Sequence, residues 1–213
     1  MITLLYSDTK IIADQEFSFY LMQLPVSMQV EVMRYKNDSD RKGRLLARLM
    51  LLDTLKQFGK EELITKWDIH KYKKPFIEEW MEFNISHSGN LVLFAYGEQE
   101  LGVDIEQKNE LNYQDIMGCL HSKEQQAIVS SDNPHQTFYD IWVRKEALMK
   151  AMGIGITSGD RYCAIDTVYH DQLGKWILHP IEIHHDYASC ICVKNTIEKL
   201  VITEYKPLKM EVQ

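Results

Sequence analysis

Apolar residues recur with a helical period through "SDRKGRLLARLMLLDTLKQFG", at Leu45, Leu46, Leu49, Leu52 and Leu55. That spacing predicts a helix, capped by Ser39 or Asp40 and stopped at Gly59. The period then changes. "EFNISHSGNLVLFAYG" reads as a strand, a turn at "HSGN" and a β-rich return, and "LGVDIEQ" follows as another strand. Helical spacing resumes in "YQDIMGCLHSKEQQAIVSS" and in "PHQTFYDIWVRKEALMKAMG", the second ended by Gly153 and Gly155. Short strands close the chain: "RYCAIDTVY", "KWILHPIEIH", "YASCICVK" and "KLVITEYK". Each half thus holds a helix and a set of short strands about a joint near residue 101. No strand–helix–strand alternation runs through the chain, so the pattern predicts an α+β protein of two similar lobes and not a parallel α/β fold.

Composition narrows the class. A chain of 213 residues with 45% apolar content can bury the core of one large or two small domains. No apolar run approaches the roughly 18 residues of a membrane span. The start, "MITLLYSDTK", has neither the basic flank nor the cleavage site of a signal peptide, so a cytoplasmic protein away from membranes is expected. In that reducing setting Cys119, Cys163, Cys190 and Cys192, which lack zinc spacing, read as core hydrophobes without disulfides. A net charge of −7 argues against nucleic-acid binding. Its distribution adds a qualification: between Arg34 and Lys74 twelve Lys/Arg face six Asp/Glu. A small polyanion fits there, or the run is a pair of solvated helix faces.

Three groups of residues carry candidate chemistry. Asp104 and Glu106, two apart on a strand, share a face, and two neighbouring anions need a cation or a proton. Mg²⁺ answers that need, since it binds through one or two carboxylates and keeps places for phosphate oxygens; the plain alternative is a solvated edge strand. On the second long helix Trp142, Glu146 and Lys150 form one stripe with Lys145 beside it, either as part of a site or as an ordinary i, i+4 ion pair next to a core tryptophan. At the hairpin tip Ser86, His87, Ser88 and Gly89 offer donors to a phosphate, or form only a turn. "HHDYASCIC" lacks C-x₂-C geometry, and core packing suits its sulfurs better than zinc.

The order of these motifs, "FNISHSG", then "GVDIE", then "WVRKEALMKAMGIG", resembles the surfactin-type family of 4′-phosphopantetheinyl transferases. "DRKGRLLARLML" and "KYKKPFI" extend the resemblance over most of the chain. It implies two similar lobes forming a pseudo-dimer, each a small, mostly antiparallel sheet packed with helices. Residues 1–101 would bind coenzyme A phosphates and residues 102–213 would carry the acids, in a monomer. It implies transfer of phosphopantetheine from coenzyme A to a serine of an apo acyl, polyketide or peptidyl carrier protein, with release of adenosine 3′,5′-bisphosphate. Asp104, Glu106 and Glu146 match the Mg²⁺ ligands, and Glu146 also matches a candidate general base. Lys150 and Lys145 match lysines near the pyrophosphate, with Lys150 counted among the catalytic groups; Ser86, His87 and Lys74 match phosphate-binding positions. Arg41, Arg44, Lys73 and Lys74 of the basic run then serve the 3′-phosphate end. The chain departs from the family pattern at Val143, at Ile154 and at Glu31, where a basic residue is common. A Mg²⁺-dependent phosphoesterase, or a coenzyme A-binding protein that has lost catalysis, are the alternative functions.

Overall fold

The computed structural model describes residues 1–69, 74–109, 113–155 and 160–208. The amino-terminal half begins with β1 (Ile2–Asp8) and the short helices α1 (Asp14–Leu21) and α2 (Val26–Met33), and continues into the long helix α3 (Asp38–Gln57). A small pair, β2 (Trp67–Ile69) and β3 (Pro75–Ile77), precedes the hairpin β4 (Glu82–Ser88) and β5 (Leu91–Gly97). The second half runs β6 (Leu101–Gln107), α4 (Ser122–Val129), α5 (Pro134–Met152), β7 (Val168–Asp171), β8 (Gly174–Pro180), β9 (Tyr187–Lys194) and β10 (Leu200–Glu204). Among the described residues no helix is long and apolar enough to cross a membrane.

Strand pairing repeats between the halves. In the first sheet, ordered β10-β1-β5-β4, the first strand of its half pairs antiparallel with the last, β5, which pairs with the penultimate, β4. In the second, ordered β6-β9-β8-β7, β6 pairs in the same way with β9, and β9 with β8. The fold is α+β, with small, mostly antiparallel sheets packed with helices. One parallel pairing breaks the rule, where β10 returns to lie along β1 in the first sheet.

Alternation along the strands sorts side chains into three cores. Val92 and Phe94 of β5 join the leucines of α3 in the first lobe, while Leu91, Leu93 and Ala95 face the other way. There they meet Leu101, Val103 and Ile105 of β6 and Ile191 and Val193 of β9 in an apolar layer between the sheets. Cys190 and Cys192 take the opposite face of β9 and pack into the second core with Phe138, Ala147 and Trp176, whereas Cys119 is exposed and Cys163 half-buried, so only two of the four cysteines are core residues.

The β6 edge lies against β4 and is closed by side chains. Asn84 accepts from the Val103 amide at 2.9 Å, Ser86 from Ile105 at 3.4 Å and Ser88 from Gln107 at 3.0 Å. Three polar residues at every second position of "NISHS" thus satisfy the outward amides of β6, which would otherwise be buried without partners.

Several predicted boundaries are corrected. α3 is capped by Asn37, not by Ser39 or Asp40: the Asn37 side chain accepts from the Ser39 amide, and the Ser39 hydroxyl donates to the Gly89 carbonyl instead. The hairpin turn is Gly89–Asn90 alone, because Ser88 pairs with Leu91, so His87 belongs to the strand. Gly89 has φ +53°, and any Cβ there would collide with Gln107 and Tyr187. The helix predicted over 113–131 divides. Residues 113–119 form 3₁₀ turns, and His121 starts α4 with a capping box in which Glu124 accepts from the His121 amide. "RYCAID" is not a strand: the Ala164 amide donates to Glu124, and the Ile165 carbonyl accepts from Arg144, in place of a ladder.

Candidate functional site

Gly102 sets the site. A Cβ on it would overlap the Ala147 carbonyl oxygen and the Ala151 nitrogen, so the bare glycine lets α5 lie directly on β6. That contact hangs Glu146 and Lys150 over the β6 face opposite the apolar layer, the face that carries Asp104 and Glu106.

Asp104 is only 2% exposed. Its Oδ1 accepts from Lys150 Nζ at 2.6 Å and from the Ser86 hydroxyl at 2.8 Å, while its buried Oδ2 has no hydrogen-bond partner. Burial pushes its pKa upward, against the pull of Lys150 and of the hydrogen bonds. The solvated edge strand is therefore excluded for this carboxylate. Glu106, bonded by the Ser88 hydroxyl at 2.8 Å, is pushed up to about 7 by burial and by Asp104. The Glu146 side chain has no hydrogen bond or ion pair among the described residues, and burial and the Asp104 charge raise its pKa. Lys150 reaches across to Asp104 and to Ser86 at 3.0 Å instead of pairing along its own helix with Glu146. The carboxylates hold its pKa above the usual lysine value despite burial.

The three acids share one electrostatic environment, but their oxygens do not all close to the 4.8 Å mutual spacing of a formed metal cluster. Among the described residues only the exposed trio His184, His185 and Asp186 does.

Two hollows share Pro75 and Ile85, and the smaller of them borders Glu146. A cleft of about 240 Å³ is lined by Lys74, Glu146, Lys150 and Gly153. A cavity of about 520 Å³ is lined by Arg34, Tyr35, Arg44, Arg48, Trp67 and His87, with Glu31 among them. Arg44 stacks on Tyr35 with 3.7 Å between its guanidinium carbon and the ring centre, and the Nε atoms of Arg44 and Arg48 are buried without partners. Burial and the charges of Arg44, Lys150 and Arg48 lower the His87 pKa, so at neutral pH its ring is uncharged.

The remaining sequence candidates divide. Lys74 lines the cleft, held by Glu82 at 3.0 Å. Ser86 spends its hydroxyl on Asp104, Lys150 and the Ile105 amide, which fills its hydrogen-bonding capacity and makes it a support for Asp104. Arg41 sits on the same α3 stripe as Arg44 and Arg48 but pairs with Asp38 at 2.9 Å and does not line the cavity. Lys145 points away from the acids: it is fully buried, pairs with Glu124 at 2.8 Å and donates to the Tyr162 carbonyl, so its charge is already matched inside the second core. Lys73 lies outside the described residues. Sequence reasoning did not find Arg48, Tyr35 and Trp67 in the cavity or Asn84 and Ser88 in the seam; the alternation of "NISHS" is the signal that carried the last two.

The buried carboxylates, Lys150 and the neighbouring cavity of arginines and aromatic rings suit the class of proteins that handle phosphate-rich ligands. Family comparison agrees with that class. A model described as "4′-phosphopantetheinyl transferase, N-terminal" matches residues 12–99, and one described as "4′-phosphopantetheinyl transferase superfamily" matches residues 100–203. The chain is 28% identical over 211 residues to the 4′-phosphopantetheinyl transferase gsp of Aneurinibacillus migulanus, covering 92% of this chain and 86% of that protein. It is 31% identical over 153 residues to a putative 4′-phosphopantetheinyl transferase of Haemophilus influenzae, 65% of each chain, and 27% identical over 129 residues to Sfp of Bacillus subtilis, 58% of each. The chain belongs to the 4′-phosphopantetheinyl transferase superfamily.

Proposed function

We propose that this transferase takes 4′-phosphopantetheine from coenzyme A, passes it to a serine hydroxyl of an apo acyl, polyketide or peptidyl carrier protein, and releases adenosine 3′,5′-bisphosphate. The observation that carries this reading is the buried Asp104 carboxylate, one oxygen bound by Lys150 and Ser86 and the other without a protein partner, beside Glu106 and Glu146. Three carboxylates against one lysine leave two formal negative charges, which a divalent ion balances. Asp104, Glu106 and Glu146 would hold Mg²⁺, whose preference for carboxylate oxygens suits this donor set. Bound there, it would neutralise charge on the pyrophosphate oxygens as the donor bond breaks.

The chain's own side chains do the rest. Lys150 and Lys74 meet the pyrophosphate from the cleft, and Arg44, Arg48 and His87 meet the nucleotide's 3′-phosphate in the neighbouring cavity. The serine oxygen forms a bond to the phosphorus that bears pantetheine, and the bond from that phosphorus to the bridging oxygen breaks. Glu146 accepts the serine proton; a carboxylate with a raised pKa and no protein hydrogen-bond partner among the described residues suits that task. Residues 1–101 supply the nucleotide end and residues 102–213 the acids, so one chain completes the site and the protein acts as a monomer.

The test is stoichiometry. With coenzyme A, Mg²⁺ and apo carrier protein, one adenosine 3′,5′-bisphosphate should appear per carrier modified, and none when the carrier is left out. Nucleotide release without a carrier would instead identify a phosphoesterase.

A further inference from the structure

Glu31 is an acid placed among the cavity's arginines. Its Oε2 lies 2.7 Å from Arg48 Nη2, and the Arg48 side chain is only 8% exposed against 37% for Glu31. Arg48 also donates to the Arg44 carbonyl at 3.1 Å and lies 5.5 Å from the Trp67 ring centre, so its guanidinium is fixed in place. An anion entering this cavity meets Arg34, Arg44 and Arg48, but one of those three charges is already matched from within.

We infer that Glu31 sets this enzyme's preference between a 3′-phosphorylated donor and its 3′-dephospho form, by pairing with the arginine that the 3′-phosphate would otherwise claim. The inference rests on the reading that the cavity receives the nucleotide end of coenzyme A. A dianionic phosphate has to compete with the Glu31 carboxylate for Arg48 and is repelled by it, whereas a donor ending in a 3′-hydroxyl meets neither penalty. Glu31 therefore lowers affinity for coenzyme A and leaves 3′-dephospho-coenzyme A nearly untouched, which narrows discrimination between them.

Calorimetric titration of the full chain with each nucleotide, with Mg²⁺ and without carrier, tests this. Glu31→Gln removes the charge at nearly constant shape and should tighten coenzyme A by about threefold to tenfold, moving 3′-dephospho-coenzyme A by less than about twofold. Glu31→Lys should widen the gap further, so that discrimination rises in the order Glu, Gln, Lys. Equal shifts for both nucleotides, no shift, or weaker binding of coenzyme A by Glu31→Gln would overturn the inference. Weaker binding would make Glu31 a support that holds Arg48 in position. Wild-type protein that binds neither nucleotide would overturn the cavity assignment together with the inference. The predicted ranking in a protein that modifies no carrier would refute the transfer reading alone.

Discussion

At the scale of single residues, the site consists of acids held against their ordinary preference. Glu106 has its pKa raised from 4.5 to about 7, chiefly by burial and then by Asp104. The folded state therefore holds this proton more tightly than the unfolded chain does. Below the unfolded pKa both states are protonated and no penalty applies; as pH rises through the window from 4.5 to about 7, stability is lost. A metal ion competes with that proton, so Mg²⁺ should raise the melting temperature more at about pH 8 than at about pH 5. Equal stabilisation at both values would remove the acids as the metal site. Glu146 is separable from this effect. Glu146→Gln should lower turnover by roughly 10² or more while coenzyme A still binds. Recovery of the rate on raising Mg²⁺ would mark a ligand, and a defect that persists at saturating Mg²⁺ would mark the base. A wild-type rate would leave Glu146 without either role. The neighbouring Lys145 shows why adjacency in sequence is a poor guide on a helix: one step turns a side chain about 100°, which carries Lys145 from the site into the core beside Glu124.

At the scale of elements, one contact decides whether the acids meet. α5 lies on β6 because Gly102 leaves its backbone bare, and Gly102→Ala should push the helix outward at a cost of about 2 kcal/mol or more. The same displacement lifts Glu146 and Lys150 away from Asp104, so transfer should fall further than stability alone explains. Unchanged melting and activity would show that the two elements do not need so close an approach. Much of this level was legible in sequence: the leucine period gave α3, and the alternation in "GVDIE" placed both acids on one face. The misses have local causes. Asn37 caps as well as Ser39 does, and cap chemistry alone does not choose between neighbours. The stretch before Val168 has β-rich letters, but its backbone groups are taken by Glu124, Lys145 and Arg144, which periodicity along one segment cannot register. Glu31 was visible as a departure from a family pattern, yet its partner Arg48, seventeen residues on, required the fold.

At the scale of the whole molecule, two lobes of like strand order meet through an apolar layer and a polar seam, and the candidate site lies at that seam. Asn84, Ser86 and Ser88 of β4 bond to β6, and Ser86 then holds Asp104, so the first lobe positions an acid of the second. The β10 strand, returning to β1, ties the end of the chain to its beginning. The two halves match separate family models, over residues 12–99 and 100–203. At this seam the Asp104 carboxylate would serve metal-dependent transfer of phosphopantetheine to a carrier. Intact-mass spectrometry of an apo carrier protein, incubated with coenzyme A, Mg²⁺ and either wild-type protein or Asp104→Asn, tests it directly. Wild type should add the mass of one phosphopantetheine, a chelator should abolish the gain, and Asp104→Asn should lose it by roughly 10² or more in rate while melting as a folded protein. No gain with wild type on fatty-acid, polyketide and peptide carriers, or an equal gain with Asp104→Asn, would contradict that role.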